Sequence, residues 1–118
     1  MSFTPGEIVL IEDAPYTNRF AVKARPCLVI SSSWFNKQSL DVILAPISSS
    51  IRSWDPTQVV IESCSPFFSQ SGLRQSSAVK CGSIFAYRSA QVRRQLGTLH
   101  PEILKQVRIL ITDIITKD

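Results

Sequence analysis

The sequence predicts a mainly β protein: a small antiparallel β-barrel, a short helix, and a C-terminal amphipathic α-helix packed across the barrel. Three observations lead there. Short runs rich in Val and Ile alternate with clusters of Ser, Pro, Gly and Asp over most of the chain. Only loops separate the first five of these runs, so hairpins and meanders join them. From Pro101 onward the apolar residues change to three- and four-residue steps. With 118 residues, 44% of them hydrophobic, one domain spanning 1–118 can bury its own core without disulfide or metal staples.

The five runs are Gly6 to Glu12, Pro26 to Ser31, Leu40 to Ile47, Thr57 to Glu62 and Ser76 to Phe85. Each is bounded by turn formers, and the serine clusters at 31–33, 48–50 and 63–77 read as strand exits and loops. A sheet of this size has edges to close or cover, which favours a barrel. Trp34 and Phe35 follow a strand and are expected to close the barrel end. A short helix is expected from about Ser89 to Leu96, stopped by Gly97, with Arg93 and Arg94 on a solvated face. In the last helix Ile103, Leu104, Val107, Leu110, Ile111, Ile114 and Ile115 form the buried stripe. Pro101 suits its first turn, Glu102 complements the positive end of its dipole, and His100 reads as its cap. Ile109 falls off the stripe and is a candidate subunit contact.

Several classes fall away on composition. No run approaches the roughly 20 apolar residues a spanning helix needs, and MSFTPGEIVL lacks the basic and apolar regions of a signal peptide, so a cytoplasmic protein is expected. Cys27, Cys64 and Cys81 are odd in number and far apart, and His100 is the single histidine, so neither a disulfide framework nor a zinc set is expected. Cys27 sits in the apolar run PCLVI and reads as a buried hydrophobe, not a nucleophile. Thirteen Lys and Arg against nine Asp and Glu give a net charge of +4, which is compatible with a polyanionic partner without requiring one.

The residues themselves go further. G-E-I-V-L at 6–10, A-P-Y-T-N at 14–18, K-A-R-P-C-L-V-I-S at 23–31 and A-P-I-S-S at 45–49 stand in an order that resembles the PemK/MazF family of toxins. S-G-L at 71–73, S-S-A-V-K at 76–80 and L-G-T-L-H-P-E-I-L at 96–104 extend the resemblance over nearly the whole chain. It implies an SH3-like barrel, a homodimer, and a ribosome-independent endoribonuclease of a type II toxin–antitoxin pair. Such an enzyme cuts single-stranded RNA at a short sequence, without metal or other cofactor, and is silenced by a cognate antitoxin in the RNA groove.

By the same resemblance Arg25 matches the arginine of the R-P element, and Ser48 matches a threonine usually found after the P-I step. Their chemistry suits the reaction. RNA brings its own nucleophile, the 2′-hydroxyl, so the protein has to orient it, move protons and stabilise a pentacoordinate phosphorane. A guanidinium can bond two phosphate oxygens at once, and a neighbouring hydroxyl can donate to a third. The family also carries an arginine and then an acid near 79–83, where this chain has Lys80 and Gly82. Two-residue periodicity would put both on one strand face, with the basic half of the pair kept and the acidic half missing. Glu12 and Asp13 are the nearest other acids by the family's layout.

The loop from Asp13 to Ala24 contributes Tyr16, Asn18, Arg19 and Lys23; the loop after Ser48 contributes Ser49, Arg52 and Trp54. Both loops border the RNA groove in the family, and charge interleaved with aromatic faces suits single-stranded nucleic acid. Lys80, Arg19, Lys23 and Ser49 are the expected RNA contacts. Trp54 is read either as a base-stacking or antitoxin-binding residue, or as packing over its loop. Two other readings compete. One is a member that has lost catalysis and only grips RNA or antitoxin. The other is a gyrase poison of the CcdB kind, disfavoured because the chain ends Ile-Thr-Lys-Asp and not Trp-Gly-Ile.

Overall fold

The computed structural model describes residues 2–12 and 24–118. Among them the strands are β1 (Glu7–Ile11), β2 (Arg25–Val29), β3 (Asp41–Ser48), β4 (Gln58–Ile61), β5 (Ser77–Lys80), β6 (Phe85–Arg88) and β7 (Arg94–Thr98). Two α-helices accompany them, α1 (Ser33–Gln38) and α2 (Pro101–Thr116). Every strand pair is antiparallel, in the order β4-β5-β3-β2-β1-β7, with β6 also on β3.

The long strand β3 organises the molecule. One edge pairs with β2, whereas the other is shared: Asp41 to Leu44 pair with β6, and Ile47 and Ser48 with β5. A strand that belongs to two sheets turns the corner between them. Period-two alternation then buries both faces. Ile8, Leu28, Ala45 and Ile47 pack with Ile61, Val79 and the helix residues Val107 and Ile111. Val9, Cys27, Val29, Val42 and Leu44 point the other way, onto Phe3 and Ile11, with Phe85 and Tyr87 packed alongside.

Helix α2 starts where expected. The His100 ring accepts a hydrogen bond from the Glu102 N–H at 3.2 Å, Pro101 occupies the first turn, and Phe67 stacks on the imidazole. Val107 and Ile111 are buried, but Ile114 and Ile115 are exposed because the last turn runs past the sheet it covers. None of the described helices is long and apolar enough to cross a membrane.

Three expectations need correction. The helix expected over Ser89 to Leu96 is a 3-10 turn, Ser89–Gln91, followed by strand β7. The outer edge of β1 offers unpaired backbone groups, and Arg94 to Thr98 satisfy them. The single run Ser76 to Phe85 is two strands, because β5 and β6 occupy different stretches of the same edge of β3. Between them the Ser83 N–H closes a turn on the Lys80 carbonyl, so Gly82 lies in that turn and shares no strand face with Lys80. Finally, Trp34 does not close the barrel end. It sits on α1, a helix missed in the sequence and capped by the Ser32 hydroxyl, and its side is 71% exposed.

Candidate active site

The register of β2 on β3 pairs Cys27 with Pro46, Leu28 with Ala45 and Val29 with Leu44. This antiparallel pairing leaves Arg25, the first residue of β2, and Ser48, the last of β3, at the same end of the sheet. Both side chains open onto one cleft of about 540 Å³ at this end of the sheet. Ser49, Leu10, Pro26 and Ile47 line it as well.

The opposite wall comes from the S-G-L turn. Ser69–Ser71 form a 3-10 turn ending at Gly72, whose φ of 73° is the left-handed conformation glycine adopts without strain. A Cβ on Gly72 would lie 2.1 Å from the Leu96 carbonyl oxygen, and one on Gly97 would lie 2.2 Å from that of Gln70. The turn therefore sits backbone-to-backbone on β7. That approach brings Arg74 and Gln75 to the cleft from one chain segment and Arg94 from the other.

The site is strongly cationic. Arg25, Arg74 and Arg94 converge on the cleft, and no carboxylate or imidazole is among the described lining residues. The Arg25 Nε is buried and has no hydrogen-bond partner among the described residues. A buried donor left unpaired costs about 1–3 kcal/mol. The Ser48 Oγ accepts the Ser50 N–H at 3.0 Å. Its acceptor role in the turn leaves the hydroxyl proton to be donated, and among the described residues it has no acceptor.

The expected residues divide. Arg25, Ser48 and Ser49 meet in the cleft. Lys80 and Trp54 do not line it and belong to a second cluster on β4, β5 and the preceding loop. There the Lys80 ammonium donates to Gln58 Oε1 at 2.7 Å, and the Gln58 amide donates to the Arg52 carbonyl at 2.6 Å. The Arg52 guanidinium lies 5.9 Å from the ring centroid of Trp54, which is 73% exposed. Asp55 accepts from the Thr57 hydroxyl and N–H, and these bonds hold its carboxyl below the usual range. Arg19 and Lys23, with Asp13, Tyr16 and Asn18, lie outside the described residues.

Glu12 is engaged elsewhere: its carboxylate is ion-paired with Arg93, and its carbonyl accepts the Tyr87 hydroxyl at 2.9 Å. The Cys81 thiol is pushed up to about 11, by burial first and the Asp55 charge second, so it stays protonated at neutral pH and is no nucleophile. Among the described residues no group of three His, Cys, Asp or Glu could hold a metal ion. Sequence reasoning missed Arg74 and Arg94. Arg74 follows the S-G-L turn closely enough to have been found, whereas the helical reading of 89–96 hid Arg94.

Fold and site together define a small antiparallel β protein with an arginine-lined cleft at one end of its sheet. Residues 4–115 match the family described as PemK-like, MazF-like toxin of type II toxin-antitoxin system, and the chain belongs to that family. No curated protein matches it in sequence. Among solved structures it resembles the Mycobacterium tuberculosis toxin MazF-mt6 at TM-score 0.72 and 22% identity, over 96% of this chain and 98% of that one. An endoribonuclease in complex with its cognate antitoxin from a mycobacterial species superposes at TM-score 0.77 and 17% identity, over 99% and 98%. A MazE-MazF structure from Deinococcus radiodurans gives TM-score 0.76 and 18% identity, over all of both chains. At these identities the likeness is one of fold.

Proposed function

We propose that this chain is the toxin of a type II pair and a metal-independent, sequence-specific endoribonuclease acting on single-stranded RNA in the cytoplasm. The observation that carries the reading is that Arg25 and Ser48 line one cleft together with Arg74 and Arg94. The 2′-oxygen attacks the adjacent phosphorus, the P–O5′ bond breaks, and the 2′-hydroxyl proton is lost while the 5′-oxygen gains one. The products are a 2′,3′-cyclic phosphate and a 5′-hydroxyl. Arg25 stabilises the charge that builds on the equatorial oxygens, and Ser48 donates to one of them. Lys80, Trp54, Arg19 and Lys23 extend the RNA path beyond the cleft. A cognate antitoxin silences the toxin by occupying the cationic cleft, and two copies form the working homodimer. The fold neighbours described as an endoribonuclease with its antitoxin and as MazE-MazF support this reading.

Pure protein incubated with a long unstructured RNA in EDTA tests it. Wild type is expected to cleave, and Arg25→Ala to lose roughly 100- to 1,000-fold in kcat, the usual loss for one transition-state donor. Abolition by EDTA overturns the mechanism. The lack of a carboxylate or imidazole among the described lining residues favours a second reading, a silent member that binds without cutting. Equal inertness of wild type and Arg25→Ala, with partner binding intact in both, would establish it.

A further inference from the structure

The contact between the S-G-L turn and β7 has a direction. Gly97 meets Gln70 and Ser71, and Gly72 meets Leu96, so the two segments pass each other antiparallel. Arg74 follows Gly72 by two residues and Arg94 precedes Gly97 by three, and both line the cleft that holds Arg25. Both are exposed, and among the described residues neither side chain makes a hydrogen bond or an ion pair. Arg93 beside them is ion-paired with Glu12, so the neighbouring sequence can supply a counter-ion and the cleft pair receives none. Two like charges lining one cleft repel one another, and an anion between them offsets that cost.

We propose that Arg74 and Arg94 form a second phosphate subsite, which holds the RNA phosphodiester next to the scissile one. This deepens the nuclease reading and rests on it for the identity of the strand. The cleft then engages at least two consecutive phosphates, one on Arg25 and Ser48 and one on the arginine pair. Arg74 and Arg94 are positioning residues: they fix where the strand lies and touch no reacting atom. Gly72 and Gly97 serve the subsite by permitting the backbone contact between the chain segments that carry the two arginines.

The test uses a 2′-O-methyl oligouridylate, which lacks the nucleophile and cannot be cut, titrated at several salt concentrations. Each of Arg74→Gln and Arg94→Gln should weaken binding about tenfold and lower the slope of log K against log salt by about 0.7, the value for one single-strand phosphate contact. Arg74→Lys and Arg94→Lys should recover most of the slope. On cleavable RNA the Gln variants should raise KM about as much while kcat falls less than about threefold, the pattern of lost ground-state binding. Unchanged affinity and slope in both Gln variants overturn the subsite. So does loss of hexaglutamate-peptide binding with oligonucleotide affinity intact, which would assign the pair to an acidic protein segment. If wild type never cleaves but the salt slopes behave as stated, the nuclease reading fails and the subsite stands.

Discussion

At the scale of single residues, two readings of Ser48 turn out to describe one atom. As a serine after a strand it could be a turn cap, and its Oγ does accept the Ser50 N–H at 3.0 Å. At the same end of the sheet as Arg25 it lines the cleft, and the cap bond fixes which way its proton can go. Ser48→Ala should therefore lower kcat about 10- to 100-fold, the equivalent of the roughly 1.5–3 kcal/mol of a hydrogen bond to a charged group. Ser48→Thr, which keeps the hydroxyl, should stay near wild type. Steady-state cleavage of both variants checks this, and equal rates for Ala and Thr would leave Ser48 only its turn. Arg25 and Ser48 were picked out by resemblance, through the R-P element and the position after the P-I step, and the sheet brings both to one cleft. Gly82, by contrast, was misread. Strand periodicity was carried through Lys80 into a turn, where it no longer describes which residues share a face.

At the scale of elements, β7 shows why local pattern was insufficient. Ser89 to Leu96 carries just two apolar side chains at helical spacing, Val92 and Leu96, and its fate is set by the vacant edge of β1. Gly97 then looks like a helix stop, although its role is to let the Gln70–Ser71 backbone touch β7. The two glycines make one contact from opposite sides. Gly97→Ala and Gly72→Ala should each destabilise the fold by about 1–3 kcal/mol, because an added methyl forces backbone to move. Combined, they should cost less than their sum, since the first substitution already opens the gap. Urea denaturation of the two single variants and the double one measures this directly. Full additivity would mean that the segments are not held by a shared contact. Helix α2, in contrast, was legible from Pro101 onward, because its cap and its stripe lie within a few residues of each other in the sequence.

At the scale of the whole molecule, the cleft and the outer surface of α2 are separate. The cleft takes no residue from α2, and the shallow groove along α2, lined by Leu104, Arg108 and Ile109 among others, takes none from the cleft. Ile109 is 54% exposed and Ile115 67%, on a helix whose inner side is already committed to the core through Val107 and Ile111. Exposed isoleucines on the outside of an otherwise well-packed helix are what a self-association surface requires. If the homodimer forms through them, Ile109→Asp or Ile115→Asp would bury an uncompensated carboxylate. The dimer should then weaken about 100-fold or more, at roughly 3 kcal/mol for such a charge. Each separated chain keeps its cleft, so oligouridylate binding per chain should persist in the variants. Sedimentation equilibrium beside the binding titration reads both quantities. A dimer indifferent to both substitutions would place the subunit contact on the sheet, whereas monomers that had also lost RNA binding would show that the strand needs residues from both copies.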